Sequence, residues 1–289
     1  MTTSYFKVVC GVLIWAVING LIIKDAGSVI APTVLGALMS LVGVILFLPH
    51  LFTNPWPEFN SRQKWFLLGL GLSAALNNSF FYTALASKDS DAKIAGIVLI
   101  HYLASIIAIV WTALPIFREK LDKTSLVAIT IGFLGLVIMT GENWLGHGLW
   151  FYFALLSAFF YSLEIVFSRQ VSVTGVDPYF SSFAKLGFQL IVMPLVGLYL
   201  GHSFSVPANQ YLYIVFAGLL LFVSFILVFS GFKNVPVKHF SVLGYLDRLG
   251  AIAIARFWWK ESFGLNVWIG GAMILLAELP LLFKKKGAN

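Results

Sequence analysis

Long apolar runs follow one another along almost the whole chain, separated by short polar or turn-forming pieces. A helix needs roughly 20 apolar residues to cross a bilayer. Ten runs approach or reach that length, and the fifth is the shortest. They cover Tyr5–Ile23, Ala31–His50, Trp65–Ala84, Ile94–Leu114, Leu126–Thr140, Leu149–Phe167, Phe180–Leu200, Tyr211–Phe232, Phe240–Trp259 and Val267–Phe283. The pattern predicts an all-α integral membrane protein with ten transmembrane helices.

Composition favours lipid over water as the surrounding medium. Hydrophobic residues make up 60% of the chain and charged residues 11%, whereas a soluble domain carries about 25% charge. The remaining polar surface is too small to cover a water-facing globule. Helices are the expected element because lipid cannot satisfy backbone polar groups, and the runs do not alternate as barrel strands do.

The distribution of basic residues predicts the topology. The net charge is +7, but the basic residues lie at the ends of apolar runs, which argues against a nucleic-acid-binding surface. With a cytoplasmic N-terminus, about twelve lysines and arginines fall inside and about four outside, as the positive-inside rule requires. We therefore predict that both termini are cytoplasmic. The lone cysteine, Cys10, excludes an internal disulfide and a cysteine metal cluster.

Landmarks recur at an offset close to half the chain length, about 142–146 residues. The matching landmarks are Trp15-Ala16 with Tyr161-Ser162, Pro32 with Pro178, Ser79-Phe80 with Ser224-Phe225, Tyr102-Leu103 with Tyr245-Leu246, and Arg118-Glu119 with Lys260-Glu261. This repeat predicts two five-helix halves, residues 1–144 and 145–289. Because five is odd, the halves enter the membrane from opposite sides, and such inverted repeats are typical of secondary transporters.

Polar residues recur within the predicted helices at spacings of three and four, which place them on common helical faces. A charge at the bilayer centre costs about 2.5–3.5 kcal/mol on insertion scales, so such residues usually face the bundle interior or a wet cavity. We expect the stripes to converge on a substrate-binding cavity between the halves. Its candidate residues are Trp15, Asn19, Asn78, His101, Tyr102, Tyr161, Glu164, Lys185, Tyr245, Asp247 and Arg248.

Glu164 is the first candidate for a functional charge. Its carboxylate binds a substrate amine, binds a proton, or forms a structural ion pair with Lys185 or Arg248. Lys185 and Arg248 are candidates for holding a carboxylate or phosphate, the arginine as a planar fork and the lysine as a point charge. The alternatives are a Glu164 or a Lys185 that snorkels toward the cytoplasmic face, and an Arg248 that pairs locally with Asp247.

Ring side chains have two open interpretations. His101 contacts a proton or a substrate, or it is a hydrogen-bonded core residue, and no second histidine lies at ligand spacing. We therefore predict neither a metal site nor a cofactor. Trp15, Tyr102, Tyr161 and Tyr245 stack on a flat or cationic substrate, or they only pack between helices.

Several segments resemble the drug/metabolite transporter superfamily, specifically its ten-helix EamA branch. They are Trp15-Ala16 with Lys24, Tyr161 through Arg169, and Val242 through Asp247 followed by Lys260-Glu261. The resemblance covers nearly the whole chain. It implies ten helices in two inverted halves, a central cavity, movement of a small organic metabolite, and a bacterial inner membrane.

The stretch from Gly96 to Leu103 resembles the aromatic amino-acid exporters of that superfamily. His101 stands where those exporters have asparagine, and Ala104-Ser105 follow where they have proline. The exporters' substrate is therefore not implied for this chain.

Residues and resemblance together predict a secondary transporter, foremost an exporter of amino acids or related metabolites. An importer of a small cationic or nutrient metabolite on the same fold is the alternative. A membrane enzyme is disfavoured because the loops hold no catalytic cluster, and the inverted repeat argues against a receptor.

The energy source is predicted from an absence in the sequence. The chain has no phosphate-binding loop, so ATP is not expected to drive transport, and protons are the candidate coupling ion. Two complete halves need no second subunit, so we expect a functional monomer in the lipid bilayer.

Overall fold

The computed structural model describes residues 2–54, 57–87, 94–101, 103–112, 123–140, 148–232, 235 and 243–283. All regular structure within these ranges is helical. The helices are α1 (Thr2–Val17), α2 (Ile23–Ala26), α3 (Pro32–Thr53), α4 (Ser61–Leu85), α5 (Ile94–His101), α6 (Leu103–Thr112), α7 (Lys123–Thr140), α8 (Leu149–Val173), α9 (Pro178–Tyr199), α10 (Tyr211–Phe232), α11 (Tyr245–Phe257) and α12 (Leu265–Phe283). A π-helical segment, Ile18–Ile22, joins α1 to α2, and a 3-10 turn, Ala208–Gln210, precedes α10.

Five helical segments of the described chain are long and apolar enough to cross a membrane. They are Thr3–Ala26, Pro32–Thr53, Leu149–Val173, Pro178–Tyr199 and Ala208–Gly231. The prediction of an all-α integral membrane protein is thus confirmed. The other helices coincide with the remaining apolar runs, and the total of ten crossings stays a prediction.

Local sequence determines where α4 and α9 begin. Asn60 Oδ1 accepts from the Gln63 backbone N–H at 2.9 Å, and Gln63 Oε1 accepts from the Asn60 N–H at 3.0 Å, which forms a capping box before α4. Asp177 caps α9 by accepting from the Tyr179 N–H at 2.8 Å, with Pro178 in the first turn.

Helix packing surrounds the polar residues with helices on every side. α8 packs along α4, and α9 contacts both α4 and α3. α1 packs against α10 and α11, and α5 contacts α8 and α11. α7 and α12 pack chiefly against each other. The central polar residues therefore lie among α1, α4, α5, α8, α9, α10 and α11.

Two glycines on α4 permit its close approach to neighbouring helices. A Cβ atom at Gly69 would lie 2.7 Å from the ring of Phe167 on α8, and one at Gly71 would overlap the ring of Phe188 on α9. Small residues commonly allow membrane helices to pack this closely. A larger side chain at either position would move α4 away from the helices that complete the central site.

Candidate functional site

The predicted polar residues meet around a cavity of about 40 Å³, here called the larger cavity. This is room for a few water molecules, so a metabolite can bind only when the surrounding helices move apart. It is lined by Trp15, Ile18, Asn19, Asn77, Asn78, Phe81, Tyr82, His101, Tyr161, Glu164, Lys185, Leu221, Phe225 and Asp247. Residues more than 200 positions apart in the chain thus share one wall.

Most of the candidates chosen from sequence lie in this wall. They are Trp15, Asn19, Asn78, His101, Tyr161, Glu164, Lys185 and Asp247. Tyr102 lies outside the described residues, as do the side chains of Tyr245 and Arg248. Their roles, and the pairing of Arg248 with Glu164 or Asp247, stay predictions.

Glu164 and Lys185 form a buried ion pair in the cavity wall. Lys185 Nζ lies 2.5 Å from Glu164 Oε1. The Lys185 side chain is 5% exposed and the Glu164 side chain 4%. They lie on α8 and α9, two successive helices joined by a short turn. An unpaired charge at such depth costs several kcal/mol, so removing one partner is expected to be far worse than removing both.

Asn77 on α4 connects this pair to His101. Its Nδ2 donates to Glu164 Oε2 at 2.9 Å, and its Oδ1 lies 3.0 Å from His101 Nε2. A carboxylate only accepts, so the amide presents its NH₂ group to Glu164 and its oxygen to the imidazole. His101 therefore carries a proton on Nε2. A continuous hydrogen-bonded chain runs from Lys185 through Glu164 and Asn77 to His101.

Two rings hold His101 in this orientation. The imidazole stacks between Phe81 and Tyr161, at centroid distances of 4.2 and 4.5 Å and interplanar angles of 22° and 25°. This sandwich restricts rotation of the imidazole and keeps Nε2 directed at the amide of Asn77.

Besides the carboxylate of Glu164, Lys185 contacts two uncharged aromatic rings. Its Nζ lies 4.0 Å from the ring centroid of Phe225 and 5.5 Å from that of Trp15, both within the range of a cation–π contact. Trp15 is itself oriented by donating from Nε1 to Ser224 Oγ at 2.8 Å. The rings thus stabilise the ammonium from the side of α1 and α10.

A second polar contact is made at the π-helical segment. Asn19 Nδ2 donates to Asp247 Oδ1 at 3.3 Å, and Asp247 is 2% exposed. A π-helical turn shifts the backbone hydrogen-bond register by one residue. The Gly20 carbonyl within this turn accepts from Trp259 Nε1 at 2.8 Å. Trp259 thereby supports the segment that directs Asn19 into the cavity.

A smaller cavity of about 10 Å³ adjoins the larger one. It shares Trp15, Tyr161, Glu164 and Lys185 with the larger cavity, and we call these residues the ion-pair layer. Its other lining residues are Ile165, Ser168, Val228 and Phe229. They follow Glu164 on α8 and Phe225 on α10 by one to four residues, so the smaller cavity lies up to about one turn farther along both helices.

Sequence reasoning missed Asn77, Phe81 and Phe225. Asn78 was chosen, whereas Asn77 makes the central contacts. The signals present were the Asn77-Asn78 pair inside an apolar run and the repeat landmark Ser224-Phe225.

The chemistry of the site is that of binding organic ions. The wall offers two carboxylates, one ammonium, side-chain amides and aromatic faces. Within the described ranges, no group of three or more His, Cys, Asp or Glu side chains is placed to hold a metal ion.

Comparison with known proteins identifies the family. The model of the EamA-like transporter family matches residues 2–141 and 148–282. An uncharacterized transporter of Archaeoglobus fulgidus is 26% identical over 267 residues, spanning 91% of this chain and 94% of that protein. The uncharacterized transporter YxxF of Bacillus subtilis is 21% identical over 243 residues, 81% of this chain and 74% of its own length.

A solved crystal structure shares the fold. It aligns with a TM-score of 0.64 at 18% identity, over 97% of this chain and 98% of the other. The apolar helices and the central cavity agree with the family match, which extends over nearly the whole sequence. The chain belongs to the EamA-like transporter family and is a membrane transporter.

Proposed function

We propose that this transporter exports an amino acid or a closely related small metabolite by alternating access, with no enzymatic step. The observation that carries the proposal is the cavity wall, which contains the carboxylates of Glu164 and Asp247 and the ammonium of Lys185. An α-amino acid presents an ammonium and a carboxylate on neighbouring atoms. Each of its charges therefore finds an opposite charge in this wall.

The aromatic residues of the wall support a compact organic ligand. Trp15, Phe81, Tyr161 and Phe225 provide flat apolar surfaces around the larger cavity. Aromatic faces contribute both apolar contact and attraction for cations. An amino acid with an apolar side chain matches this combination of charged groups and rings.

The proposal includes ten membrane crossings in two inverted halves, residues 1–144 and 145–289. In its support, Trp15 and Tyr161, which the repeat relates to each other, both lie in the ion-pair layer. The last helices of the two halves, α7 and α12, pack against each other. Residues related by a two-fold axis meet in this way when they lie near the axis.

Direction, coupling and location belong to the same proposal. Export is favoured by the likeness of residues 96–103 to the exporters' segment, and the basic loops favour cytoplasmic termini in a bacterial inner membrane.

The hydrogen-bonded chain from Lys185 to His101 supports protons as the coupling ion, because it joins groups that exchange protons. A monomer contains the whole described cavity.

An importer of small cationic metabolites is the second candidate. Among the described lining residues, two carboxylates face one ammonium, which favours a cation. The test is thermal unfolding of the purified protein against amino acids, quaternary amines, purines and sugar phosphates.

Amino acids are expected to raise the unfolding midpoint most. A ligand at one hundred times its dissociation constant stabilises the folded state by about 2.7 kcal/mol. Uptake of the labelled ligand into proteoliposomes, in both orientations and with either pH gradient, then gives direction and coupling. A response confined to quaternary amines contradicts the amino-acid assignment and favours the importer.

A further inference from the structure

We infer that the Glu164–Lys185 pair is a gate between the larger and the smaller cavity, and that it opens by exchange with a substrate carrying both an ammonium and a carboxylate. This inference rests on the proposed transport of a small zwitterion. It adds a second substrate position, formed where the smaller cavity widens as the pair separates, and assigns selectivity to the pair itself.

The position of the pair is the first argument. Glu164 and Lys185 line both cavities, together with Trp15 and Tyr161. Asn77 and His101 lie only on the larger side, and Val228 and Phe229 only on the smaller side. The pair therefore lies at the boundary between the two cavities, where a passing substrate meets both charges.

Each charge of the pair keeps a neutral partner of its own. Glu164 Oε2 accepts from Asn77 at 2.9 Å, independently of the bond between Oε1 and Lys185. The Lys185 ammonium lies 4.0 Å from the Phe225 ring centroid. Separation of the pair thus leaves neither charge without a stabilising contact. A pair that only braced two helices would need neither these second partners nor a cavity on each side.

Exchange with a zwitterion keeps every buried charge paired. As the side chains separate, the substrate ammonium takes the place of Lys185 at Glu164, and the substrate carboxylate takes the place of Glu164 at Lys185. No covalent bond changes and no net charge is moved by the exchange itself. A substrate with one charge leaves either Glu164 or Lys185 without an ionic partner, and a buried charge without one is costly.

The smaller cavity indicates which side chain the zwitterion carries. Its own walls are Ile165, Val228 and Phe229, with the hydroxyl of Ser168 as the polar exception. An aliphatic side chain matches these walls, whereas an acidic or basic one would meet no opposite charge among the described residues that line only the smaller cavity. Leucine is therefore the natural probe.

The experiment compares leucine with leucine methyl ester, a cation, and with N-acetyl-leucine, an anion. Dissociation constants and proteoliposome exchange rates are measured for the wild type and for a neutral double variant, Glu164→Gln with Lys185→Met. The control makes the same chemical changes at exposed positions, Glu58→Gln with Lys64→Met. A second neutral pair, Glu164→Met with Lys185→Met, replaces the first if that variant is not monodisperse.

The wild type and the control are expected to prefer leucine to either analogue by about tenfold, because each analogue leaves one buried charge unpaired. In the neutral variant the preference should fall to about one. A neutral variant that keeps both the tenfold preference and normal leucine exchange would show that the pair is only a brace. A wild type that binds no leucine, or that binds all three compounds equally, would also overturn the inference, while the wider metabolite panel separately decides the transport function.

Discussion

The larger and smaller cavities share the ion-pair layer but differ in the chemistry of their other walls. The larger cavity adds the amides of Asn19 and Asn77, the imidazole of His101 and the carboxylate of Asp247. The smaller cavity adds apolar side chains and the hydroxyl of Ser168. The difference shows that the polar groups able to bind a ligand are concentrated in the larger cavity, whereas the walls of the smaller cavity beyond the ion-pair layer are mainly apolar.

The contrast has a structural origin in helix placement. α4 and α5 line only the larger cavity, and they supply Asn77 and His101. α10 lines both cavities, but it contributes Leu221 and Phe225 to one and Val228 and Phe229 to the other. The polar side chains that line only the larger cavity thus come from α4, α5, α11 and the π-helical segment.

The largest expected effect comes from breaking the layer that both cavities share. Lys185→Met leaves the buried Glu164 charge without its lysine partner and should destabilise the protein by about 3–5 kcal/mol. Leucine exchange should be lost. Thermal unfolding and proteoliposome exchange measure the two effects, with the exposed Lys64→Met as the control. A Lys185→Met variant with wild-type stability and wild-type leucine exchange would show that the ion pair has no role in transport.

Removal of the polar partner on the larger side comes next. Asn77→Leu abolishes the bonds to Glu164 and His101, and an unsatisfied buried polar group costs about 1–3 kcal/mol. We expect ligand affinity to fall by about tenfold. Titration calorimetry checks this against the exposed control Asn209→Leu. Equal affinities in the two variants would mean that the larger cavity is not the recognition side.

Filling the smaller cavity should separate binding from passage. Val228→Phe places a ring in its apolar wall, so exchange should slow by about tenfold while affinity at the larger cavity changes little, as expected for a purely steric obstruction. Val215→Phe on the same helix is the control, since Val215 is 50% exposed. A loss of affinity with an unchanged rate would reverse the roles that we assign to the two cavities.

The smallest effect is expected at the support of the π-helical segment. Trp259→Phe removes the N–H that donates to the Gly20 carbonyl together with part of the indole ring, and one such bond is worth about 0.5–1.5 kcal/mol. The predicted outcome is an affinity loss of about threefold with little change in exchange rate at saturation. The neighbouring Trp258→Phe, at a residue 67% exposed, serves as the comparison, and an equal loss there would exclude a specific role for Trp259.

Much of the helical framework was predictable because a segment that crosses lipid must be helical and apolar over about 20 residues. Apolar length alone located each helix, and α10 spans the predicted Tyr211–Phe232. The ends were less predictable, since α8 continues from the predicted Phe167 to Val173. The apolar signal weakens there, and the chain stays helical until its turn toward α9.

The candidate site was predictable in its residue types and less so in its partners. Charges in apolar runs directed attention to Glu164 and Lys185, but their contact depends on the register between α8 and α9. The choice of Asn78 over Asn77 has a similar cause, because neighbouring helical residues point about 100° apart. Which of them faces Glu164 is decided by how α4 packs against α8, and glycine contacts such as that of Gly69 set that packing.

The most direct test of the central claim is leucine exchange in proteoliposomes by wild-type protein and by Glu164→Gln, at equal inserted amounts and across a range of pH. Transport through the ion-pair layer requires the carboxylate, which holds Lys185 and Asn77 together. We predict that the variant inserts but does not exchange leucine, or exchanges it without the pH dependence of the wild type. An unchanged rate with an unchanged pH dependence would contradict the account and remove Glu164 from the transport path.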